Sequence, residues 1–171
     1  MKRMSVLAMA FCLTGAAACD DSPTAPDNTT AVFRATMTSA NEVPPVSNTE
    51  TGATGTATIT FSLTRNTANA ITAATASFSS TVSNMPAGSN LIRAHIHTGA
   101  AGVAGGVLVD TGLTPGAAIS IVNGSGTLTF NGVSIDPTVA QNIIDNPGGF
   151  YFNVHSTLNP GGVVRGQLAR Q

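Results

Sequence analysis

The sequence predicts an all-β fold, an antiparallel β-sandwich of the Ig-like or Greek-key type with about eight or nine strands and one short helix. Two observations carry that expectation. Beyond residue 30 the chain is rich in Thr, Ser, Val, Ile, Gly and Asn and nearly devoid of Lys and Glu, a composition suited to pleated, half-buried surfaces. Short segments with alternating apolar residues also recur, separated by Gly, Pro and Asn.

Ala31–Thr38 is the first expected strand. Glu42-Val43-Pro44-Pro45-Val46 follows as an extended edge or crossing, because its two prolines cannot donate to a ladder. In Thr54–Leu63, Ala57, Ile59, Phe61 and Leu63 alternate against Thr56, Thr58, Thr60 and Ser62. Further strands are expected over Ala70–Val82, Asn90–His97, Val107–Asp110, Ala117–Val122 and Gly126–Phe130, with Asn123-Gly124 as a hairpin turn between the last two. Asp136 can cap a helix, Pro137 fits its first turn, and Val139, Ile143 and Ile144 form its apolar side. Asn146-Pro147-Gly148-Gly149 ends that helix, and the strands Phe150–Ser156 and Val163–Ala169 close the domain.

The residues before this domain read as an address. Lys2 and Arg3 precede an apolar run, Met4–Leu13, that is shorter than the roughly 20 residues of a spanning helix, so residues 1–18 are expected to be an export signal. Gly15-Ala16-Ala17-Ala18 running into Cys19 resembles a bacterial lipobox, although Ala16 stands where Leu is usual. Lipidation of Cys19 would make the chain a membrane-anchored lipoprotein of the cell envelope; simple cleavage, leaving a secreted or periplasmic protein, is the alternative. Residues 19–30 are polar and proline-containing and read as a flexible tether to a domain over 31–171. Both cysteines, Cys12 and Cys19, precede the domain, which therefore has no disulfide or thiolate metal site and must rest on packing. From Cys19 onward, five arginines and no lysine stand against eight acids, a net charge of −3. With no basic run, nucleic acid is excluded as a partner.

All three histidines fall in two strand segments, Ala94-His95-Ile96-His97 and Asn153-Val154-His155. Alternation places Leu91, Arg93, His95 and His97 opposite Ile92, Ala94 and Ile96, and Tyr151, Asn153 and His155 opposite Phe150, Phe152 and Val154. In the last strand Val163, Arg165 and Gln167 oppose Val164, Gly166 and Leu168. If these strands are neighbours, their polar faces converge. His95 and His97 would have Cα atoms about 6.5 Å apart, a spacing that lets two imidazoles share one ion. His155 would complete a three-histidine site with an open position, suited to copper or zinc. The competing reading keeps the histidines as hydrogen-bonded structural groups. Glu42, Arg93, Tyr151, Asn153, Arg165 and Gln167 would then form a polar patch offered to a partner. No nucleophile or paired acid is visible nearby, so no enzyme is expected. The glycine-rich run Gly99–Gly106 has no following helix to complete a phosphate cradle; it reads as a tight loop passing close beside His97. Glu42 and Glu50, the only glutamates, read as solvated loop acids, with Glu42 the better functional candidate beside its rigid Pro-Pro pair.

Five motifs in order resemble the CHRD domain, a module named after chordin and also found in bacterial exported proteins. They are Ala40-Asn41-Glu42-Val43-Pro44-Pro45-Val46, Thr51-Gly52-Ala53-Thr54-Gly55, Ala94-His95-Ile96-His97-Thr98-Gly99, Phe150-Tyr151-Phe152-Asn153-Val154-His155-Ser156, and Asn159-Pro160-Gly161-Gly162 leading to Arg165-Gly166-Gln167-Leu168. The resemblance covers roughly Ala31 to Ala169. It implies an exported β-sandwich and, because chordin is an extracellular binder of growth factors, binding rather than catalysis. This chain departs from the family's final Gly-Glu-Ile-Arg-Gly-Gln by carrying Val163 in place of the acid. The His-x-His strand is also similar to one in copper/zinc superoxide dismutase, but that dinuclear site needs more than three histidines. The expected function is therefore a lipid-anchored, non-enzymatic binding or structural module of the cell envelope. Its partner would be a protein or envelope ligand, and it would reach the membrane through the lipid on Cys19. The alternative is a mononuclear copper- or zinc-binding protein using His95, His97 and His155.

Overall fold

In the computed structural model, residues 29–171 are described. The expected export signal, the lipidated Cys19 and nearly all of the tether lie outside the described residues. The strands are β1 (Thr30–Thr38), β2 (Thr54–Arg65), β3 (Ile71–Ser83), β4 (Asn90–Thr98), β5 (Val107–Asp110), β6 (Ile119–Ser120), β7 (Gly126–Ile135), β8 (Phe150–Ser156), β9 (Val164–Gln167) and β10 (Ala169–Arg170). One helix, α1 (Pro137–Asp145), lies between β7 and β8. The Asp136 side chain caps it by accepting from the backbone N–H groups of Thr138 and Val139, and Ala140 and Ile143 are buried.

All pairing is antiparallel, and the order β5-β4-β8-β9-β1-β2-β3-β7 is continuous, with β6 added on β4 and β10 on β1. Where two stacked Ig-like sheets were expected, one sheet curls nearly into a barrel. The join is made by the last strand. It breaks at Leu168, so that β9 bridges β8 to the end of β1 through Thr38 and Arg165, while β10 pairs Arg170 with Phe33. Gly166 is required at this join, because a Cβ there would overlap the Thr36 carbonyl of β1. Strand twist accumulated over this path brings β6 and β5, at one end of the order, against β7 at the other. One core fills the curl. Phe78 of β3 and Phe152 of β8, four strands apart in the order, stack with ring centroids 5.6 Å apart.

Three expected elements come out differently. Ala117–Val122 shrinks to the two-residue β6, and a bridge between Val122 and Ser125 closes a turn with Asn123 and Gly124 both at positive φ. Glu42–Val46 forms no strand; a 3-10 turn over Ser39–Asn41 leads into a bent loop. A register shift between Leu91 and Arg93 moves Leu91 into the apolar cluster with Ala94 and Ile96, although simple alternation sets it on the histidine face.

Candidate metal centre

β4 and β8 pair so that Arg93 lies opposite His155, His95 opposite Asn153, and His97 opposite Tyr151. On the far side of β8, Asn153 meets Arg165, and that register leaves His155 beside Val163. Alternation thus does what the sequence leads one to expect: Ala94, Ile96, Phe152 and Val154 enter the core, and the histidines share the opposite face. That face is not open to solvent. His95, His97 and His155 are 6 to 8% exposed, beneath the Glu42 loop, the Gly99–Gly106 loop and the Asn159–Gly162 turn.

One ligand nitrogen from each of the three imidazoles lies within 4.8 Å of the others. Nδ1 of His95 is 3.0 Å from Nε2 of His155. Nδ1 of His97 is 3.0 Å from the Gly105 carbonyl, and Nδ1 of His155 is 2.9 Å from the Pro160 carbonyl. A carbonyl oxygen only accepts, so both Nδ1 atoms carry protons and both Nε2 atoms present lone pairs. The His97 Nε2 is buried with no hydrogen-bond partner. For His95, one tautomer places its proton on Nδ1 and donates to His155. The other places it on Nε2, 3.7 Å from an Asp110 carboxylate oxygen, and leaves two lone pairs facing each other. The second arrangement calls for a cation. Backbone carbonyls on two of the imidazoles are partners of the kind that orient metal-ligating histidines, and the Asp110 carboxylate lies near the third at 3.7 Å without bonding it. A tetrahedral ion with bonds of about 2.0–2.1 Å to nitrogen needs nitrogens about 3.3–3.4 Å apart, within the range this cluster spans.

Electrostatics keep the three groups neutral. Burial lowers the pKa of each histidine, and His155 is pushed down to about 4 against the opposing bond to Pro160. Gly105 is essential to this geometry: its carbonyl holds His97, its N–H donates to the Tyr151 hydroxyl at 3.2 Å, and a Cβ there would overlap the Thr98 carbonyl. The Tyr151 ring stacks on His97 at 4.9 Å between centroids, and the Arg165 guanidinium lies 4.5 Å from the centroid of the same Tyr151 ring. The glycine-rich run is therefore a loop passing beside His97.

The remaining polar groups form a layer around this cluster. Asn153 donates to Glu42 Oε1 at 2.6 Å, and burial pushes the Glu42 carboxyl up to about 7 despite the Arg165 charge and that bond. Arg165 is 2% exposed and ties two loops together, donating from Nε to the Asn41 carbonyl at 2.5 Å and from Nη1 to that of Val103 at 3.1 Å. Gln167, half-buried, donates to the Gly99 and Gly148 carbonyls, while Arg93 is exposed. Neither glutamate is the solvated loop acid that composition suggests. Glu50 is fully buried and accepts from Ser156 Oγ at 2.5 Å and from Asn159 Nδ2, bracing the turn that carries the Pro160 carbonyl. Sequence reasoning missed Glu50 and Asp110 as parts of this site, while it read the loop that holds Gly105 as passing beside His97. Asp110 was legible as the end of a strand, but its partner His95 depends on how β5 pairs with β4. Val163 is fully buried in the apolar cluster, so no carboxylate stands at that position beside His155.

A family model described as the CHRD domain matches residues 33–168. No curated protein and no solved structure matches the chain.

Proposed function

The chain belongs to the CHRD domain family, and from that premise we propose that it is an envelope-borne module binding a single transition-metal ion through His95, His97 and His155. The observation that carries this reading is the convergence of three neutral, buried imidazoles, one of them with an unpartnered Nε2. A buried ring nitrogen without a partner is costly, on the order of 1–3 kcal/mol, and an ion would satisfy it. An all-nitrogen donor set suits Cu(II) or Zn(II). The polar groups first considered as a partner-facing patch support the same reading: Glu42, Tyr151, Asn153 and Arg165 are all buried around the cluster. The role is binding; no nucleophile is invoked.

Calorimetric titration of untagged protein with Cu(II) and with Zn(II) tests the site. Sub-micromolar binding that disappears in His97→Ala is the expected result; no saturable heat from either ion would overturn it. Because the imidazoles are already neutral at pH 7, binding releases little proton from them, so the heat should not vary with the ionisation enthalpy of the buffer.

Export and anchoring complete the proposal, resting on the signal at residues 1–18 and the lipobox-like run into Cys19. Intact mass of the membrane-fraction protein should show a diacylglyceryl group on Cys19. A mature form without lipid, recovered in the soluble fraction, would replace anchoring by plain secretion.

A further inference from the structure

The three imidazoles do not offer equivalent nitrogens. Nδ1 of His97 and Nδ1 of His155 are spent on the Gly105 and Pro160 carbonyls, so these two rings can reach an ion only through Nε2. His95 is turned the other way. Its Nδ1 is the atom beside His155 Nε2, at 3.0 Å, while its Nε2 faces Asp110. Asp110 pairs with His95 across β4 and β5, and the carboxylate oxygen on that side is itself held by the Gly112 N–H at 2.8 Å.

The separation of 3.7 Å between His95 Nε2 and that oxygen locates the His95 proton. A protonated Nε2 facing a carboxylate would close to hydrogen-bond length, about 2.7–2.9 Å. Two acceptors facing each other stay apart. The free site is therefore closed on itself. His95 donates from Nδ1 to His155 Nε2, and one proton occupies two of the three nitrogens that an ion needs. The third, His97 Nε2, has no partner.

We propose that metal loading switches the His95 tautomer, with Asp110 as the positioning residue that accepts from the new Nε2–H. The switch rests on the metal reading above and assigns its ligand atoms: Nδ1 of His95 and Nε2 of His97 and His155. On loading, the Nδ1 lone pair of His95 goes to the ion and its proton leaves to water. Nε2 of the same ring takes up one proton from water, so the net count is unchanged. The lone pair freed on His155 Nε2 goes to the same ion. The His95 Nε2–H then meets Asp110, and a contact between two acceptors becomes a charge-assisted hydrogen bond. Asp110 thus favours the loaded state over the free one, and only a differential interaction of that kind shifts a binding equilibrium. Its side chain is 62% exposed, so substitution there spares the core.

Two-bond proton–nitrogen correlation spectra of protein with isotope-labelled histidines read the tautomers directly. Metal-free protein should show His95 as the Nδ1–H form; Nε2–H there would overturn the switch with no metal present. With Zn(II) bound, His95 should carry its proton on Nε2 and the ion on Nδ1, while His97 and His155 keep Nδ1–H. Asp110→Ala should lower zinc affinity about 10–100-fold and leave the metal-free His95 tautomer as it was. Asp110→Asn, whose amide oxygen still accepts from Nε2–H without the charge, should recover part of that loss. Zinc bound at full affinity by Asp110→Ala, or bound through His95 Nε2, would overturn the switch and leave the metal site standing. No zinc binding by the unsubstituted protein would overturn the metal reading, and the switch with it.

Discussion

Along β2, buried Ala57, Ile59, Phe61 and Leu63 alternate with Thr and Ser side chains that reach toward water, whereas every residue of β8 from Tyr151 to Ser156 is buried. β1, β2 and β3 are thus an amphipathic surface, one face on the core and one on solvent. β4, β8 and β9 bury both faces, one under apolar neighbours and one under loops laid over His, Asn, Arg and Tyr. The threonine-rich half needs little beyond hydrophobic burial, because water satisfies its outer hydroxyls. The histidine half must satisfy each covered polar group internally, and it leaves Glu50 Oε1, His97 Nε2, Asn153 Oδ1 and Arg165 Nη2 without partners. Unmet polar demand of this kind concentrates where a protein binds something. Both halves feed the same core, but the unpartnered polar groups of the histidine cluster and its surroundings lie in only one of them.

The division can be attacked from either side. The largest effect is expected in the threonine-rich half: Ile59→Ala should cost about 2–5 kcal/mol in denaturant unfolding, because Ile59 is fully buried. Its metal affinity, measured while still folded, should not change; a parallel fall in affinity would erase the division. Gly105→Ala should strike the site directly. Displacing the carbonyl that orients His97 should lower metal affinity about 10–100-fold, measured while the variant is still folded, and its overlap with the Thr98 carbonyl should also cost stability.

Acid dependence sharpens the contrast further. His155 titrates near 4 when folded against an ordinary 6.5, so its contribution to stability is complete above 6.5 and is lost as pH falls toward 4. Glu42 titrates near 7 against an ordinary 4.5, so its contribution is complete below 4.5 and is lost as pH rises through 7. The two slopes oppose each other between pH 4.5 and 6.5. Glu42→Gln removes one of them, so the melting temperature of that variant should fall more steeply on acidification than that of the unsubstituted protein. Equal slopes would show that Glu42 carries no such burden. Smallest of all, Ser62→Ala on the solvent face of β2 should stay within about 0.5 kcal/mol.

Much of this was readable from local pattern. Period-two alternation sets His95 and His97 on one face of their strand and His155 on the polar face of another, and Asp136-Pro137 announces the helix start; that the two faces join depends on β4 pairing with β8. What local pattern could not carry was non-local. The shift at Leu91 arises from pairing with β8 and inverts one residue's face without any turn residue to signal it. The burial of Glu50 depends on Ser156 and Asn159, more than a hundred residues along the chain. The continuous sheet depends on where Leu168 interrupts the last strand, and an alternating sequence reads the same whether its sheet is stacked or curled.

The broken last strand also sets an order of events in the chain's making. β1 pairs with β9 and β10, which are synthesised long after it, so the curl cannot close before they emerge. Contacts between such distant segments form slowly. His155 and Arg165 likewise come late, leaving an incomplete chain with only His95 and His97 and no sheet to bring a third imidazole to them. Until then the chain has neither a finished core nor its three imidazoles together. Both would be acquired in one closing step, wherever the C-terminal strand finally meets the first.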